Sequence, residues 1–204
     1  MSRLALLSVS DKTGIVELAQ SLVEKFQFEI ISSGGTAKTL QDAGITVTKV
    51  SDYTGSPEIL GGRVKTLHPR FHGGILGRRD LAEDKAEMEA NDIRPLDLVV
   101  VNLYPFEQTI AQPNVNIPEA IEKIDIGGPT LIRAAAKNFK YLTVLCSPGQ
   151  FDDYLAEYEQ SNGEVSLEFR QQMAGYAFAH TNNYDRAISA YFANLNQSED
   201  LGDT

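Results

Sequence analysis

Short apolar runs alternate with amphipathic stretches along the chain, and this alternation constrains the fold more than any other feature. Residues 3–8 are an apolar run, and residues 15–26 then repeat apolar side chains at helical spacing. The same order returns at residues 28–31 and 37–43, followed by the β-branched run 46–50. Such strand–helix–strand units predict an α/β fold with a mainly parallel central sheet, helices on both faces and right-handed crossovers.

Later segments extend the predicted sheet. Residues 97–103 contain the continuous apolar run LVVV, which is typical of a strand buried on both faces. Residues 141–146 predict one more strand, whereas residues 51–79 are rich in Gly, Pro and His and predict mostly loop with short elements. We expect further helices at residues 80–90, 117–123, 129–137 and 151–158.

A long amphipathic helix is predicted after residue 166, because apolar and aromatic residues recur there at steps of three and four. This stripe consists of Met173, Ala177, His180, Tyr184, Ile188 and Tyr191. The polar residues 196–204 have the composition of a linker or a frayed end. The expected organisation is one α/β domain over residues 1–195 and a linker or tail over residues 196–204.

The acidic balance of the chain limits its partners. Lys and Arg number 18 against 28 Asp and Glu, a formal net charge of -10, which disfavours nucleic acid and anionic membranes at long range. The apolar start is too short for a signal peptide or a membrane span, and Cys146, the single cysteine, forms no intrachain disulfide. We predict a cytoplasmic protein without nucleic-acid or membrane partners, in which a small phosphorylated ligand can still bind inside a local cleft.

Two polar loops directly follow predicted strands, and each leads into a predicted helix. The first loop, SVSDKTG, contains Ser10 and Lys12, and the second, SGGT, spans residues 33–36. In an open parallel sheet both loops lie at the carboxyl edge, where hydroxyls, an ammonium group and free helix N–H groups can bind an anion. One such loop alone is more often an ordinary capped turn. Two loops at the same edge favour a phosphate site.

Three further segments carry polar groups suited to chemistry. RVKTLHP at residues 63–69 has two cations and a hydroxyl, NLYPF at residues 102–106 leaves the LVVV strand, and DIGGPT at residues 125–130 places a carboxylate before a positive helix end. The alternatives are a surface loop for the first segment and aromatic residues that cap the core for the second. Lys137, near the far end of that last helix, by itself indicates only a complement to the helix dipole.

The three histidines do not indicate a metal site. His68 and His72 lack Cys or carboxylate partners at ligand spacing, and His180 lies on the packing stripe of the last helix. A lone His is also more often structural than catalytic. We therefore expect no metal.

The motifs SVSDKTG, SGGT, LGGRVKTLHP, NLYPF, IDIGG and RAAAKN occur in this order in one chain. Over about residues 4–195, the chain therefore resembles the inosine monophosphate (IMP) cyclohydrolase domain of the bifunctional purine biosynthesis enzyme that also carries a formyltransferase. The resemblance implies a methylglyoxal-synthase-like fold. It also implies a cyclic amidine hydrolase that closes 5-formamidoimidazole-4-carboxamide ribotide (FAICAR) to IMP, the last step of purine biosynthesis, by attack of the carboxamide nitrogen and loss of water.

The resemblance assigns roles to residues of this chain by position. The implied catalytic group is Lys65, Tyr104, Asp125 and Lys137. Our hypothesis is that Asp125 accepts the amide proton, Lys137 protonates the departing oxygen, Lys65 positions the carboxamide and Tyr104 orients the group. An amide nitrogen is a poor nucleophile, so alignment, a proton acceptor and charge stabilisation are the required chemistry, and no cofactor is implied. The implied substrate-binding residues are Ser10, Lys12, Ser33, Gly34, Gly35, Thr36, Arg63, Val64, Thr66, Val101, Asn102, Ile126 and Gly127.

The same resemblance implies a homodimer, and without a formyltransferase half we expect no formyl transfer. Two other functions share this type of fold: a methylglyoxal-synthase-type lyase acting on a triose phosphate, and a regulatory module that binds a phosphorylated nucleotide without turnover. Only the cyclohydrolase interpretation accounts for RVKTLHP, NLYPF and IDIGG together.

Overall fold

The computed structural model describes residues 2–199, which fold around a five-stranded, all-parallel sheet. The strands follow the order β3-β2-β1-β4-β5. Because the chain moves outward from β1 to β3 and then returns to the other side of β1, the strand order reverses between β1 and β4. Ligands of open parallel sheets bind at such a switch point, outside the carboxyl ends of the strands. The strands are β1 (Arg3–Ser8), β2 (Phe28–Ser32), β3 (Thr48–Lys49), β4 (Leu98–Val101) and β5 (Thr143–Leu145).

Helices cover both faces of the sheet, as predicted. Helices α4, α8 and α10 bury apolar side chains on one face, and α1, α2 and α9 do so on the other. The helices are α1 (Ile15–Gln20), α2 (Gly34–Asp42), α3 (Val50–Thr54), α4 (Pro69–Leu76), α5 (Ala82–Ala90), α6 (Phe106–Ile110), α7 (Ile117–Glu122), α8 (Gly127–Lys137), α9 (Phe151–Gln160) and α10 (Leu167–Glu199).

The central strands have buried side chains on both sides, which explains why their sequence is continuously apolar. In β1, Leu4 and Leu6 belong to the core under α8, whereas Ala5 and Leu7 belong to the core under α1. Strand β4 divides its four buried residues between the two cores in the same way. The prediction of an interior strand at LVVV is therefore confirmed.

Several element boundaries differ from the sequence predictions, three of them near the predicted site or at the sheet edge. The strand expected at residues 46–50 contains only Thr48 and Lys49, both exposed, because Val50 turns into the core and begins α3. Helix α2 begins at Gly34, so most of the predicted SGGT loop is the first turn of a helix. Helix α8 likewise begins before Pro129, which lies in the first turn where a missing N–H breaks no helical hydrogen bond.

The long C-terminal helix is confirmed as α10, which packs on α8 and β5 and buries Met173 and Ala177. It continues to Glu199, so residues 196–199 are helical and not linker-like, while residues 200–204 lie outside the described part of the chain. Among the described residues, none of the helices has the length and hydropathy needed to cross a bilayer.

Candidate active site

A cleft of about 760 Å³ opens where β1, β2 and β4 end. This volume lies within the range of small-molecule sites. Its walls are the loops after those three strands, the segment 61–67 and the segment 121–128 that leads into α8. The motifs SVSDKTG, SGGT, LGGRVKTLHP and NLYPF contribute residues to these walls. The motif IDIGG contributes the residues that lead into α8 and begin it. The sheet thus brings the predicted segments to one place.

The first turn of α2 forms a positively charged end of this cleft. Ser33 precedes the helix in an extended conformation, and its hydroxyl contacts that of Ser8 at 2.8 Å. A Cβ built at Gly35 would lie 3.6 Å from the Lys12 ammonium nitrogen, and one at Gly34 would lie 3.7 Å from that of Lys65. Two ammonium groups therefore approach a helix start whose first N–H groups have no partner within the helix. This arrangement suits a phosphate.

Side chains from two neighbouring strand ends hold the loop after β1 in place. The amide oxygen of Asn102 accepts hydrogen bonds from the backbone N–H groups of Ser10 and Asp11 at 2.6 and 3.0 Å, and its amide nitrogen donates to the Asp11 carbonyl at 2.9 Å. The Thr36 hydroxyl bonds both the N–H and the carbonyl of Val9 at 3.0 Å. Asn102 and Thr36 thus shape the site through its backbone.

Asp125 is a half-buried carboxylate of the cleft. Its Oδ1 accepts a hydrogen bond from the Gly128 backbone N–H at 2.8 Å, at the start of α8. Burial raises the pKa of the carboxyl, and the backbone N–H groups of Gly128, Tyr104 and Gly127 partly oppose this shift. A raised pKa makes Asp125 a stronger base than an exposed aspartate and makes its protonated form more accessible.

The cations of the segment 61–67 have acidic partners. Lys65 Nζ lies 3.1 Å from Oε2 of Glu58, and the Lys65 side chain is one-third exposed. Arg63 pairs with Glu122 at the end of α7. Both arginine and lysine line the cleft. An anionic ligand must therefore compete with these carboxylates for the cations.

Two family models match the chain. Residues 14–130 match the MGS-like domain, and residues 135–203 match the AICARFT/IMPCHase bienzyme. The chain belongs to the MGS-like domain family. The crystal structure of ForH shows the same MGS-like fold, with a TM-score of 0.84 and 37% sequence identity over 94% of this chain and 100% of that chain.

Curated relatives of this MGS-like chain carry the name bifunctional purine biosynthesis protein PurH. The protein from Rippkaea orientalis is 70% identical over 200 residues, which are 98% of this chain and 39% of the relative. The one from Gloeothece citriformis is 71% identical over 195 residues, 96% of this chain and 38% of the relative. The chain therefore spans about two-fifths of the length of these relatives. The resemblance inferred from the motifs is confirmed.

Most residues assigned from the sequence line the cleft of this MGS-like domain. Tyr104, with 53% of its surface exposed, lies at the mouth, whereas Asp125 is half-buried. Val64 is absent from the described lining, because its backbone pairs with Ile59 in an antiparallel bridge. The predicted residues that line the cleft are Ser10, Lys12, Ser33, Gly34, Gly35, Thr36, Arg63, Lys65, Thr66, Val101, Asn102, Tyr104, Asp125, Ile126 and Gly127.

Lys137 is the catalytic assignment that the structure of this chain does not support. It is exposed at the last position of α8, whereas the first turn of that helix forms the cleft wall. At 1.5 Å per residue, the helix carries Lys137 about 15 Å from Gly127. The neighbouring Asn138 donates to the Ile75 carbonyl at 2.6 Å, near the end of α4. Within residues 2–199, Lys137 therefore lies at the opposite edge of the sheet from Asp125.

The sequence motifs did not indicate several residues that line the cleft. Glu122 and Lys123 lie at the end of α7 and line the cleft. The one sequence feature that could have indicated them is their position directly before the IDIGG motif. Glu58 reaches the site through its ion pair with Lys65, which sequence spacing does not reveal. Among the described residues, no group of three or more His, Cys, Asp and Glu side chains is arranged to hold a metal ion.

Proposed function

We propose that this chain is an IMP cyclohydrolase that closes FAICAR to IMP with loss of water. The observation that carries the proposal is the position of Asp125, a half-buried carboxylate with a raised pKa, in the same cleft as the lysine-flanked start of α2. The similarity to the PurH proteins supports it. The substrate and product would be the only small-molecule partners that the reaction needs.

The ribotide phosphate binds at the start of α2 in this proposal. Lys12 supplies positive charge there, and the first N–H groups of the helix supply donors. The Ser33 hydroxyl lies beside them. This end fixes the nucleotide, so that the imidazole substituents extend toward the segment 121–128 on the other wall.

Asp125 transfers the protons of ring closure. As the carboxamide nitrogen bonds to the formyl carbon, it loses one proton to Asp125, and the carbonyl oxygen becomes negatively charged. The positive end of α8 stabilises that oxygen, and the proton returns to it from Asp125. The hydroxyl then leaves as water when the formamido nitrogen gives up its proton and the new double bond forms. Because Lys137 lies outside the cleft, this scheme assigns it no step.

Lys65 and Tyr104 align the reacting groups in this scheme. The Lys65 ammonium can hydrogen-bond the carboxamide oxygen, and the Tyr104 hydroxyl at the cleft mouth can orient the ring. Val101, Ile126 and Leu131 add apolar surface to the walls. A homodimer, a cytoplasmic location and a domain boundary near residue 195 stay predictions.

The decisive experiment is an ultraviolet assay of FAICAR closure by the purified chain without added metal. Asp125→Asn should lower kcat about 100-fold or more, because it removes the proton acceptor. Asp152→Asn, an exposed aspartate on α9, is the matched control and should leave kcat unchanged. Binding of IMP without any turnover by the native chain would favour a regulatory module, and release of methylglyoxal from a triose phosphate would favour the lyase.

A further inference from the structure

Tyr184 connects the long helix α10 to the candidate base. Its hydroxyl accepts a hydrogen bond from the backbone N–H of Asp125 at 2.7 Å and lies 3.3 Å from the carbonyl oxygen of Lys123, to which it can donate. A phenol can make both bonds at once, since it has one donor and free lone pairs. One half-buried side chain thus holds two points of the segment that leads into α8.

The segment held by Tyr184 has little support from regular structure. It lies between the end of α7 at Glu122 and the start of α8 at Gly127. The carboxylate of Asp125 is fixed on its other side by the Gly128 N–H. Backbone N–H groups of Tyr104 and Gly127 also act on this carboxyl. The Tyr184 hydroxyl is the contact that reaches the backbone N–H of Asp125 from α10.

Packing keeps the Tyr184 ring in place independently of its hydroxyl. The ring meets the buried Phe106 edge-on, with centroids 6.3 Å apart. Tyr191, about two turns further along α10, meets the same Phe106 edge-on at 5.6 Å. Removal of the Tyr184 oxygen should therefore leave the aromatic cluster intact, and Tyr191 offers a matched site on the same helix.

We propose that Tyr184 is a positioning residue, which sets the orientation of the Asp125 carboxylate by holding the backbone of residues 123–125. The hydrogen bonds of the Tyr184 hydroxyl are features of the structure, whereas the effect of Tyr184 on ring closure rests on the proposed function. The chemistry required of Tyr184 is a hydrogen bond to the backbone, and it makes no contact with the substrate in this proposal.

The test compares Tyr184→Phe with Tyr191→Phe, and it follows both turnover and the titration of Asp125. Tyr184→Phe should lower kcat about tenfold with KM changed less than twofold, because the base is misaligned while the phosphate end is untouched. It should also move the Asp125 carboxyl titration, measured by carbon-13 NMR and assigned by its loss in Asp125→Asn. Tyr191→Phe should match the native protein in both measurements.

An unchanged Asp125 titration in Tyr184→Phe would overturn the proposal, as would an unchanged kcat in an active protein. If the native chain shows no ring closure, the proposed function fails, and the NMR titration alone still decides the role of Tyr184. Thermal unfolding checks that each variant is folded. If Tyr184→Phe does not fold, Tyr184→Leu, which also lacks the hydroxyl and keeps an apolar side chain, undergoes the same two measurements against the same criteria.

Discussion

Burial of Asp125 affects the stability of the fold as well as its chemistry. Because burial raises the pKa of this carboxyl, folding favours the protonated form. The contribution of Asp125 to stability is then fully present below the pKa of the unfolded chain, and it is lost as the pH rises through the higher folded pKa. Near neutral pH, the folded protein therefore holds a carboxylate that the unfolded chain would solvate better.

Asp125→Asn is consequently expected to unfold at a higher temperature than the native protein near neutral pH. Asn carries no charge, and its oxygen can still accept the Gly128 N–H. The difference should shrink as the pH falls through the folded pKa of Asp125. Melting curves recorded by circular dichroism over a series of pH values measure this difference in melting temperature, with Asp152→Asn as the exposed control. A variant that melts below the native protein near neutral pH would contradict this expectation.

Elements buried on both faces are the ones that sequence periodicity predicts well. Strands β1 and β4 have no exposed face that would interrupt their apolar runs, so their positions follow directly from the sequence. Strand β3 lies at the sheet edge with both residues exposed, so its sequence has no apolar run that would mark a strand. The predicted starts of α2 and α8 lie after the observed ones. Consecutive glycines are typical of loops, whereas here they form the first turns of the two helices.

The glycine at position 128, in the first turn of α8, is explained by the close approach of Asp125 and Leu103. A Cβ at Gly128 would lie 2.5 Å from Asp125 Oδ2 and 2.7 Å from Leu103 Cδ2, so Gly128→Ala forces the carboxylate to move. We expect a loss of about 1–3 kcal/mol in the free energy of unfolding and a lower kcat. Denaturant unfolding and the ring-closure assay measure the two effects.

Gly175 in α10 provides the matched substitution for Gly128. A Cβ there would meet nothing within 4 Å among the described residues, and the position is exposed within the helix. Gly175→Ala should therefore stabilise the protein by about 0.5–1 kcal/mol through the lower conformational entropy of the unfolded chain. If both variants changed stability in the same direction, crowding at Asp125 would not be the reason for glycine at position 128.

At the scale of the whole molecule, topology explains which parts of the site the sequence reveals. Polar segments that follow parallel strands must meet at one edge, so the gathering of the first loop, SGGT and NLYPF was predictable. Two kinds of contact were not predictable. One is the ion pair of Glu58 with Lys65 within an irregular segment, and the other is the hydrogen bond of Tyr184 with Asp125 between elements far apart in the chain. Lys137 shows the converse case, since it is close in sequence to the IDIGG motif but lies at the far end of α8 from the cleft.

The distribution of charge over the molecule leads to a last prediction. The chain has a net charge of -10, yet Lys12, Lys65 and Arg63 line the cleft. A phosphorylated ligand should therefore owe its affinity to these local cations and the start of α2 and not to the overall field. IMP at about a hundred times its Kd should stabilise the fold by about 2.7 kcal/mol, and inosine, which lacks the phosphate, should do so much less at the same concentration.

Lys12→Ala should remove most of this discrimination between IMP and inosine. Loss of one ammonium group at the phosphate is expected to weaken IMP binding about tenfold, or about 1.4 kcal/mol, while inosine binding changes little. Lys38→Ala is the control, because Lys38 belongs to the same helix α2 but is exposed and pairs with Asp42 at 2.8 Å. Thermal shift and calorimetric titration with both ligands measure the effect. Equal losses for IMP and inosine in Lys12→Ala would place the phosphate elsewhere, and the assignment of the α2 end as the phosphate site would then be wrong.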